Sequence, residues 1–374
     1  MNMTHIYMDY NASTPLAPEV KQVIYQLTDY VYGNPSASHW AGEPAKAAVE
    51  KARSQVAAFI GAATDEIIFT SGGTESNNHV LKSIIEQYRQ QHPHIITTKA
   101  EHPAILEPCR YLEEQGISIT YVSTDTYGVV DPKEIEQAVT ENTVLISIMH
   151  ANNETGTIQP IKTISSIAKQ HDIAFHTDAS QSLGKIPADV DALGVDYLTV
   201  AGHKLYAPKG IGALFMRKNK PLPSFMHGAG HENGRRAGTE NIILAGALGQ
   251  ACEIAATNNR SGHIQQLRDL FWKELQKAFG ERVRLNGHPE KRLPNTLNVS
   301  FIGCTGQDIL QAIPELAAST GAACHADTVQ LSNVLEAMGV DEETGKGAIR
   351  FSLGRYSEKR DIDMVIEKLK YVLS

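Results

Sequence analysis

Lys204 lies where a reactive amine is expected. It occupies a turn between two apolar runs, Tyr197–Val200 and Ile211–Met216, in a chain of 374 residues. An amine that is partly removed from water loses its proton more easily and becomes the nucleophile that a Schiff base requires. Taken alone, however, such a turn more often carries an ordinary surface lysine. The neighbouring motifs must therefore decide between the two interpretations.

Two further motifs are typical of ligand binding, one of an anion and the other of a cation. Ser71–Asn78, Ser-Gly-Gly-Thr-Glu-Ser-Asn-Asn, follows an apolar run and precedes a helical pattern, as in a phosphate cradle at a helix N-terminus. Asp178 ends another apolar run, where a buried carboxylate needs a cationic partner. Each has an ordinary alternative, a capped turn or an N-cap. Together with Lys204 they form the parts of a pyridoxal phosphate (PLP) site, in which the aspartate pairs with the ring nitrogen.

Two polar groups follow other apolar runs. Glu101 and His102 come after Ile95–Thr98, and Asn152–Gly156 comes after Val144–Met149. An imidazole titrates near neutral pH and so can exchange protons above a cofactor ring. An asparagine amide can bond to a phenolic oxygen. Each residue alone is equally typical of a loop that satisfies its own backbone groups.

Alternating strand and helix patterns position these residues. Seven apolar runs predict strands, at Ile67–Thr70, Ile95–Thr98, Ile117–Val122, Val144–Met149, Ile173–Thr177, Tyr197–Val200 and Ile211–Met216. Helical periodicity separates the first five, at Asn77–Gln90, Ala104–Glu114, Lys133–Thr140 and Ile161–Gln170. The alternation predicts an α/β fold with a mostly parallel seven-stranded sheet, whose ligands bind beyond the carboxyl ends of the strands. The two strands around Lys204 are predicted to form one antiparallel pair.

The pattern changes after about residue 258. Further helices and strands are predicted at His263–Phe279, Leu297–Ile302, Gln307–Ile313, Ile349–Leu353 and Lys359–Leu373. We therefore expect a large domain at residues 16–258 and a smaller α+β domain at residues 1–15 and 259–374. Pro15 and Pro18 separate the first residues from the large domain because they break regular structure.

Composition excludes several classes of protein. Hydrophobic residues make up 42% and charged residues 20%, and the net charge of −8 comes without a basic tract, which argues against direct nucleic-acid binding. No apolar run approaches about 18 residues and the N-terminus has no secretion-signal pattern, so a cytoplasmic protein without membrane contact is expected. The cysteines lack Cys-x-x-Cys spacing and are expected to be reduced thiols: Cys109, Cys252, Cys304 and Cys324. No metal site is predicted.

Ordered motifs along almost the whole chain resemble those of the cysteine desulfurases and the closely related selenocysteine lyases. They are Met-Asp-Tyr-Asn-Ala (8–12), Gly-Asn-Pro-Ser (33–36), Thr-Ser-Gly-Gly-Thr-Glu-Ser-Asn-Asn (70–78), Ala-Asn-Asn-Glu-Thr-Gly (151–156), His-Thr-Asp-Ala (176–179), Gly-His-Lys (202–204), Arg-Ala-Gly-Thr-Glu-Asn (236–241) and Ile-Arg-Phe-Ser-Leu-Gly-Arg (349–355). These are class V aminotransferase-like enzymes of PLP fold-type I. The resemblance implies PLP as the cofactor, L-cysteine as the substrate, a homodimer, and a sulfur-acceptor protein as a partner.

The resemblance implies a role for each residue around the cofactor ring. Lys204 would carry the cofactor and move protons, and Asp178 would pair with the ring nitrogen. His102 would stack on the ring as an acid and base. Gln181 and Asn153 would bind the phenolic oxygen.

The remaining implied roles concern the phosphate and the substrate. Gly73, Thr74 and His203 would bind the phosphate, and Thr239 would reach the phosphate of the neighbouring subunit, which is why a homodimer is expected. The substrate carboxylate would be held by Arg350 as a two-pronged ion pair and oriented by Asn34.

Cys324 is the nucleophile that the resemblance implies. Small residues precede it in a segment at about residues 319–332 that is expected to be a mobile loop. Its thiolate would attack the substrate sulfur, leaving a persulfide on Cys324 and releasing alanine.

Two departures bear on the substrate. Ala201 stands where many desulfurases have a hydroxyl residue, so one phosphate contact is missing. Ala-Ala-Cys-His at 322–325 resembles selenocysteine lyases, whereas Pro103 stands where vertebrate lyases have an acidic residue. Cysteine is therefore the favoured substrate, and selenocysteine lyase is the alternative. An inactive scaffold is a more remote one.

The destination of the sulfur is left open by the sequence. Iron–sulfur cluster assembly, tRNA thiolation, DNA phosphorothioation and selenium metabolism all remain compatible with the same motifs.

Overall fold

The computed structural model describes residues 5–258, 260–325 and 328–373, and of residues 322–325 and 328–330 it describes the backbone alone. After a short strand, β1 (Ile6–Tyr7), seven strands form the larger sheet. They are β2 (Ile67–Thr70), β3 (His94–Thr98), β4 (Ser118–Val122), β5 (Thr143–Ser147), β6 (Ala174–Asp178), β7 (Tyr197–Ala201) and β8 (Gly212–Met216). Their order across the sheet is β2-β8-β7-β6-β5-β3-β4.

The larger sheet is mostly parallel, as predicted, but it contains two antiparallel pairings. Neighbours from β7 through β4 run parallel, whereas β8 runs antiparallel to both β7 and β2. The predicted antiparallel pair, β7 with β8, is confirmed, whereas the second one, β8 with β2, was not predicted. The short turn after β7 brings the chain back beside it, and β8 then fills the space between β7 and β2.

Helices cover both faces of this sheet. The helices of this part of the chain are α1 (Pro18–Tyr30), α2 (Gly42–Ile60), α3 (Gly73–Tyr88), α4 (Pro103–Glu114), α5 (Pro132–Gln137), α6 (Ile161–Gln170), α7 (Val190–Leu193) and α8 (Ile242–Thr257). Every residue of β6, β7 and β8 is buried. Successive side chains of a strand point to opposite faces, and accordingly Phe175 joins one apolar core while Ala174 joins the other.

A second set of elements follows residue 260. Its helices are α9 (Ser261–Phe279), α10 (Gly306–Ala312), α11 (Asn333–Ala337), α12 (Glu342–Lys346) and α13 (Lys359–Val372). Its strands are β9 (Val283–Asn286), β10 (Thr296–Phe301), β11 (Leu316–Ala317), β12 (Ser319–Thr320), β13 (Ala322–His325), β14 (Thr328–Leu331) and β15 (Ala348–Ser352).

The second set has its own sheet and core. The order β12-β15-β10-β9 gives an antiparallel four-stranded sheet, beside which β1 pairs with β11 and β13 pairs with β14. Phe271 of α9 packs edge-on against Phe351 of β15 at 5.0 Å between ring centroids. Ile6 and Met8 belong to this same core. The domain boundaries at residues 15 and 258 stay a prediction.

None of the described helices is both long enough and apolar enough to cross a membrane.

Candidate active site

A cavity of about 420 Å³ lies at the carboxyl ends of the central strands of the larger sheet. Most of the predicted site residues line it: Gly73, Thr74, His102, Asn153, Asp178, Gln181, His203, Lys204 and Arg350. Helix and strand ends bring them together, because the carboxyl ends of parallel strands share one edge of a sheet. Arg350 reaches the cavity from β15 of the other sheet.

Lys204 is presented by a single 3-10 turn, Gly202–Lys204, that directly follows β7. Its Nζ donates hydrogen bonds to the carbonyl oxygens of Asn11 and, at 2.8 Å, of Ala12. Burial first, and then the charge of Arg350, lower the pKa of Lys204 to about 8 against the opposing effect of Asp178. A substantial fraction of this amine is thus unprotonated near neutral pH, which is the state a nucleophilic lysine needs.

Asp178 is the last residue of β6 and is only 8% exposed. Its Oδ2 accepts a hydrogen bond from Nδ2 of Asn77 at 2.7 Å, and its Oδ1 accepts one from the backbone N–H of Ser180 at 2.9 Å. Asn77 is fully buried in α3, and its Oδ1 has no partner among the described residues. The carboxylate is therefore fixed in orientation while it faces the cavity.

His102 caps the N-terminus of α4. Its Nδ1 accepts a hydrogen bond from the backbone N–H of Ala104 at 3.0 Å, so the proton of the neutral ring belongs on Nε2. Burial by the surrounding protein lowers the pKa of His102, although Asp178 acts in the opposite direction. The ring is accordingly neutral near neutral pH.

The start of α3 fits an anion. The backbone at Gly72 has φ 150°, which disfavours any residue with a side chain, and α3 begins at Gly73. A Cβ on Gly73 would stand 3.2 Å from Oγ of Ser180 and 3.5 Å from Cβ of Ala201, which is too tight for a larger residue. The first N–H groups of a 16-residue helix thus face the cavity beside the exposed Thr74.

His203 and Ala201 flank this anion site. Nδ1 of His203 lies 3.4 Å from Oγ of Ser13, and burial together with the charge of Lys204 lowers the pKa of His203 to about 4. The ring is neutral at working pH. Ala201 lines the cavity with a methyl group where the resemblance leads one to look for a hydroxyl.

Gln181 and Asn153 offer amides to the cavity. Nε2 of Gln181 donates to the carbonyl oxygen of Asn11 at 2.9 Å, and Oε1 of Gln181 accepts from Nζ of Lys185 at 2.9 Å. Oδ1 of Asn153 is buried without a partner among the described residues. Buried polar atoms are normally paired, so this oxygen is free to accept a hydrogen bond from a ligand.

Arg350 is held from two sides. Its NH2 group donates to Oδ1 of Asp9 at 2.7 Å and to Oγ of Ser319 at 2.8 Å, and its NH1 group donates to the carbonyl oxygen of Asn153 at 3.2 Å. Its Nε is buried and has no partner within the described part of the chain. The guanidinium is therefore oriented in the cavity wall with donor capacity to spare.

Three predicted residues are not brought into the cavity wall. Asn34 and Thr239 are exposed, and the side chain of Asn34 accepts a hydrogen bond from the backbone of Ser36 at 2.9 Å. Cys324 lies in β13, where its backbone pairs with Val329, but its side chain is outside the described structure. The roles of all three stay predictions, as does the mobility of residues 319–332, whose described backbone includes β12, β13 and β14.

Four residues of the site have no role in the sequence analysis. Asn11 and Asn77 lie inside motifs that were singled out, but only for their pattern, and Ser180 follows Asp178 directly. Lys185 carries no local signal at all. The common signal for the first three is a polar residue inside, or directly after, a quoted motif.

Comparisons with known proteins agree with this geometry. The model of the class-V aminotransferase family matches residues 6–365. Cysteine desulfurase IscS of Dictyoglomus turgidum is 45% identical over 372 residues, which cover 98% of this chain and 94% of that protein. A solved NifS-like protein superposes with a TM-score of 0.93 at 37% identity, covering 99% of each chain.

A second solved structure, SspA in complex with cysteine, has a TM-score of 0.84 at 36% identity and covers 94% of this chain and 100% of that one. The matches span the whole fold, including the strand ends that form the cavity. The chain therefore belongs to the class-V aminotransferase family and, within it, to the group formed by the cysteine desulfurases and their close relatives.

Proposed function

We propose that the protein is a PLP-dependent cysteine desulfurase. It converts L-cysteine to L-alanine and holds the released sulfur as a persulfide on Cys324 for an acceptor protein. The observation that carries this proposal is the pairing of Lys204 and Asp178 across one cavity, with Arg350 entering the same cavity from the second sheet. The relatives named as cysteine desulfurases support it.

The residues of the cavity fit PLP. The N-terminus of α3, where a Cβ at Gly73 would press on Oγ of Ser180 at 3.2 Å, suits the phosphate. Asp178 suits the ring nitrogen, and the unpartnered Oδ1 atoms of Asn77 and Asn153 mark places for further bonds. When bound, the cofactor supplies an electron sink for bonds that break at the substrate Cα.

Lys204 provides the attachment point and a mobile proton. Because its pKa is lowered to about 8, the amine takes up and gives up protons close to working pH. The carbonyl groups of Asn11 and Ala12 hold Nζ in place through hydrogen bonds.

His102 adds a flat surface and a second proton. With Nδ1 engaged by Ala104, the ring holds its proton at Nε2 and can share it with a ligand atom. The lowered pKa keeps the ring neutral, so stacking on a cationic ring costs no charge repulsion.

Arg350 supplies the carboxylate site. Asp9, Ser319 and Asn153 set the plane of its guanidinium, and its buried Nε still lacks a partner among the described residues. A planar fork of this kind binds a carboxylate through two parallel hydrogen bonds. The amino acid is thereby aligned with its side chain free to face another part of the site.

Cys324 performs the sulfur transfer. Its thiolate attacks the sulfur of the substrate, an S–S bond forms, and the bond between the substrate Cβ and its sulfur breaks. The electron pair of that bond passes to the carbon skeleton, which takes up protons and leaves as alanine. No external oxidant is required, because the oxidation of sulfur in the new S–S bond is matched by the reduction of the substrate Cβ.

The test replaces Cys324 and a matched cysteine. Cys324→Ala is expected to keep the bound cofactor, to lose the persulfide completely and to lower alanine release by about a hundredfold or more. Cys304→Ala, which removes a partly exposed thiol elsewhere, is the control and is expected to retain both. Persulfide is measured by alkylation and mass spectrometry, and alanine by chromatography. Full alanine release by Cys324→Ala would refute the mechanism.

Selenocysteine is the second candidate substrate, because Ala-Ala-Cys-His resembles the lyases. We expect activity on both amino acids with cysteine as the main substrate. Relative kcat/KM values decide between them, and a strong preference for selenocysteine would reverse the assignment.

A homodimer completes the proposal. Thr239 is exposed away from the cavity of its own chain, as expected of a residue that serves a partner subunit. Light scattering of the purified protein tests the dimer. If the protein is a dimer, Thr239→Ala mixed with Lys204→Ala tests whether Thr239 acts across subunits.

A further inference from the structure

Lys185 is a titratable group close to the site that the proposed mechanism does not use. It is half-buried, and no carboxylate lies within ion-pair distance of it among the described residues. Its charged neighbours are cations: burial first, and then Lys204 and Arg350, lower the pKa of Lys185 to about 7. A half-buried lysine whose charged neighbours are cations lowers the stability of the fold, which indicates that it has a functional role.

Lys185 lies in the turns that follow β6, next to Gln181 in the wall of the main cavity. Asp178 ends β6, and a series of turns then brings the chain back through Gly184, whose φ of 72° permits the reversal. Lys185 and Lys204 both line a second cavity, of about 50 Å³, next to the first.

Lys185 makes one hydrogen bond, and that bond fixes an amide. Its Nζ lies 2.9 Å from Oε1 of Gln181. An amide has a carbonyl oxygen that only accepts and an NH2 group that only donates, and the two ends are readily exchanged by rotation. Because the lysine donates, Oε1 must face Lys185, and the NH2 group must face the main cavity.

The fixed amide continues to Lys204. Nε2 of Gln181 donates to the carbonyl oxygen of Asn11 at 2.9 Å, and the same oxygen accepts a hydrogen bond from Nζ of Lys204. One N–H of Gln181 is consumed in this way, and the second has no acceptor among the described residues. A continuous string of hydrogen bonds therefore joins Lys185, Gln181, Asn11 and Lys204.

We propose that Lys185 is a positioning residue of the active site, which holds the amide of Gln181 with its NH2 group toward the cofactor pocket. The inference rests on the proposed function, since it takes PLP to be the ligand that receives this hydrogen bond. Lys185 itself touches no reacting atom. Without it, the bond to the carbonyl oxygen of Asn11 is the one restraint left on the amide among the described residues, so the amide rotates more readily and presents an oxygen, which repels an electron-rich oxygen of the ligand.

The experiment compares full-length variants loaded with PLP. Lys185→Met removes the donor at similar length, Lys185→Ser removes its reach, and Lys185→Arg keeps a donor. Lys209→Met removes an exposed lysine from the turn after Lys204 and is the matched control. The absorbance spectrum of bound PLP, its change with pH and the rate of cofactor loss are measured for each, with thermal unfolding as a check of folding.

Lys185→Met and Lys185→Ser are expected to displace the spectral titration and to speed cofactor loss about tenfold. Lys185→Arg and Lys209→Met are expected to remain close to the parent. In a Gln181→Met background, Lys185→Met should cause little further change, because the amide that it positions is already gone. A role in packing alone would lower thermal stability equally in both backgrounds and leave the spectrum unchanged.

A folded Lys185→Met variant with the parental spectrum and parental cofactor loss would overturn the inference, and so would fully additive effects of the two substitutions. The proposed function is tested separately. If the unmodified protein binds PLP but releases no alanine from cysteine, the desulfurase proposal fails and the spectra still decide the role of Lys185. If it does not bind PLP, both fail.

Discussion

The two walls of the cavity are built in different ways. One wall consists of strand and helix ends of the larger sheet, where Lys204, Asp178 and Gln181 each take part in hydrogen bonds with buried neighbours. The other wall comes from the second sheet, where Arg350 lies in the interior strand β15. Cys324 lies beyond it in the pair β13–β14, which belongs to neither larger sheet.

This difference separates two chemical tasks. Under the proposed function, the wall of the larger sheet binds the cofactor and activates the substrate, and the strands that lead to Asp178 and Lys204, β6 and β7, are buried throughout. Under the same proposal the second wall binds the substrate carboxylate, and the nucleophile lies on a separate two-stranded pair, an element with little stability of its own. Substitutions on one wall should therefore leave the task of the other wall largely intact.

The largest effect is expected from Lys204→Ala. It removes the amine that attaches the cofactor and moves protons, so alanine release should fall by about a thousandfold or more. Reduction with borohydride followed by mass spectrometry should find no PLP joined to the protein. Lys209→Ala, on the same turn, should behave as the parent. Full activity of Lys204→Ala would contradict the assignment of cofactor attachment to the wall of the larger sheet.

Arg350→Lys tests the second wall. A lysine keeps the charge but cannot form the two-pronged ion pair, so kcat/KM for cysteine should fall by about ten- to a hundredfold, chiefly through KM. The spectrum of bound PLP should not change. Arg284→Lys, an exposed arginine in β9 of the same sheet, is the control. Loss of PLP from Arg350→Lys would show that the walls do not act separately.

The pH dependence of PLP attachment measures how strongly the charge of Arg350, on the second wall, affects the pKa of Lys204. The rate at which PLP attaches to the protein should rise with pH through about 8, because burial and Arg350 lower the pKa of Lys204 to that value and only the unprotonated amine reacts. Removing a cation raises the pKa of a neighbouring ammonium group. Arg350→Met should therefore move the midpoint to higher pH, and an unmoved midpoint would mean that the second wall exerts no field on Lys204.

The smallest effect is expected from Ala201→Thr. It adds a hydroxyl next to Gly73 and Ser180, where one more hydrogen bond to the phosphate should slow cofactor loss by about fivefold. Ala201→Val adds the same volume without the hydroxyl and should give no gain. KM for cysteine should stay constant in both variants, because the substitution changes only the wall of the larger sheet.

The sequence predicted most strands of the larger sheet well because, apart from the edge strand β4, they are largely buried on both faces and so appear as apolar runs. It did not indicate α8, which is apolar on nearly every side and lacks the amphipathic period of a surface helix. The second antiparallel pairing of β8 was also missed, because pairing with β2 depends on which strand fills a gap and not on any local pattern.

The site shows the same limit. Residues at strand ends, such as Asp178 and Lys204, were found because their position in the motif coincides with their position in space. Asn11 was not assigned a role, although its carbonyl oxygen accepts from Lys204, because 193 residues separate the two. Lys185 was missed because half-burial next to Gln181 results from turns that have no distinct sequence pattern.

The cavity draws on both ends of the chain, and this has a consequence for synthesis. The backbone N–H of Asn11 donates to Oγ of Ser352 at 2.9 Å, across 341 residues of sequence. Closing so long a loop costs entropy and is slow, so these contacts form late in folding. A chain emerging from the ribosome lacks the second wall until β15 has left the exit tunnel. The cofactor site is complete only in the folded chain. Cofactor binding therefore stabilises the native state and not the unfolded or partly folded chain.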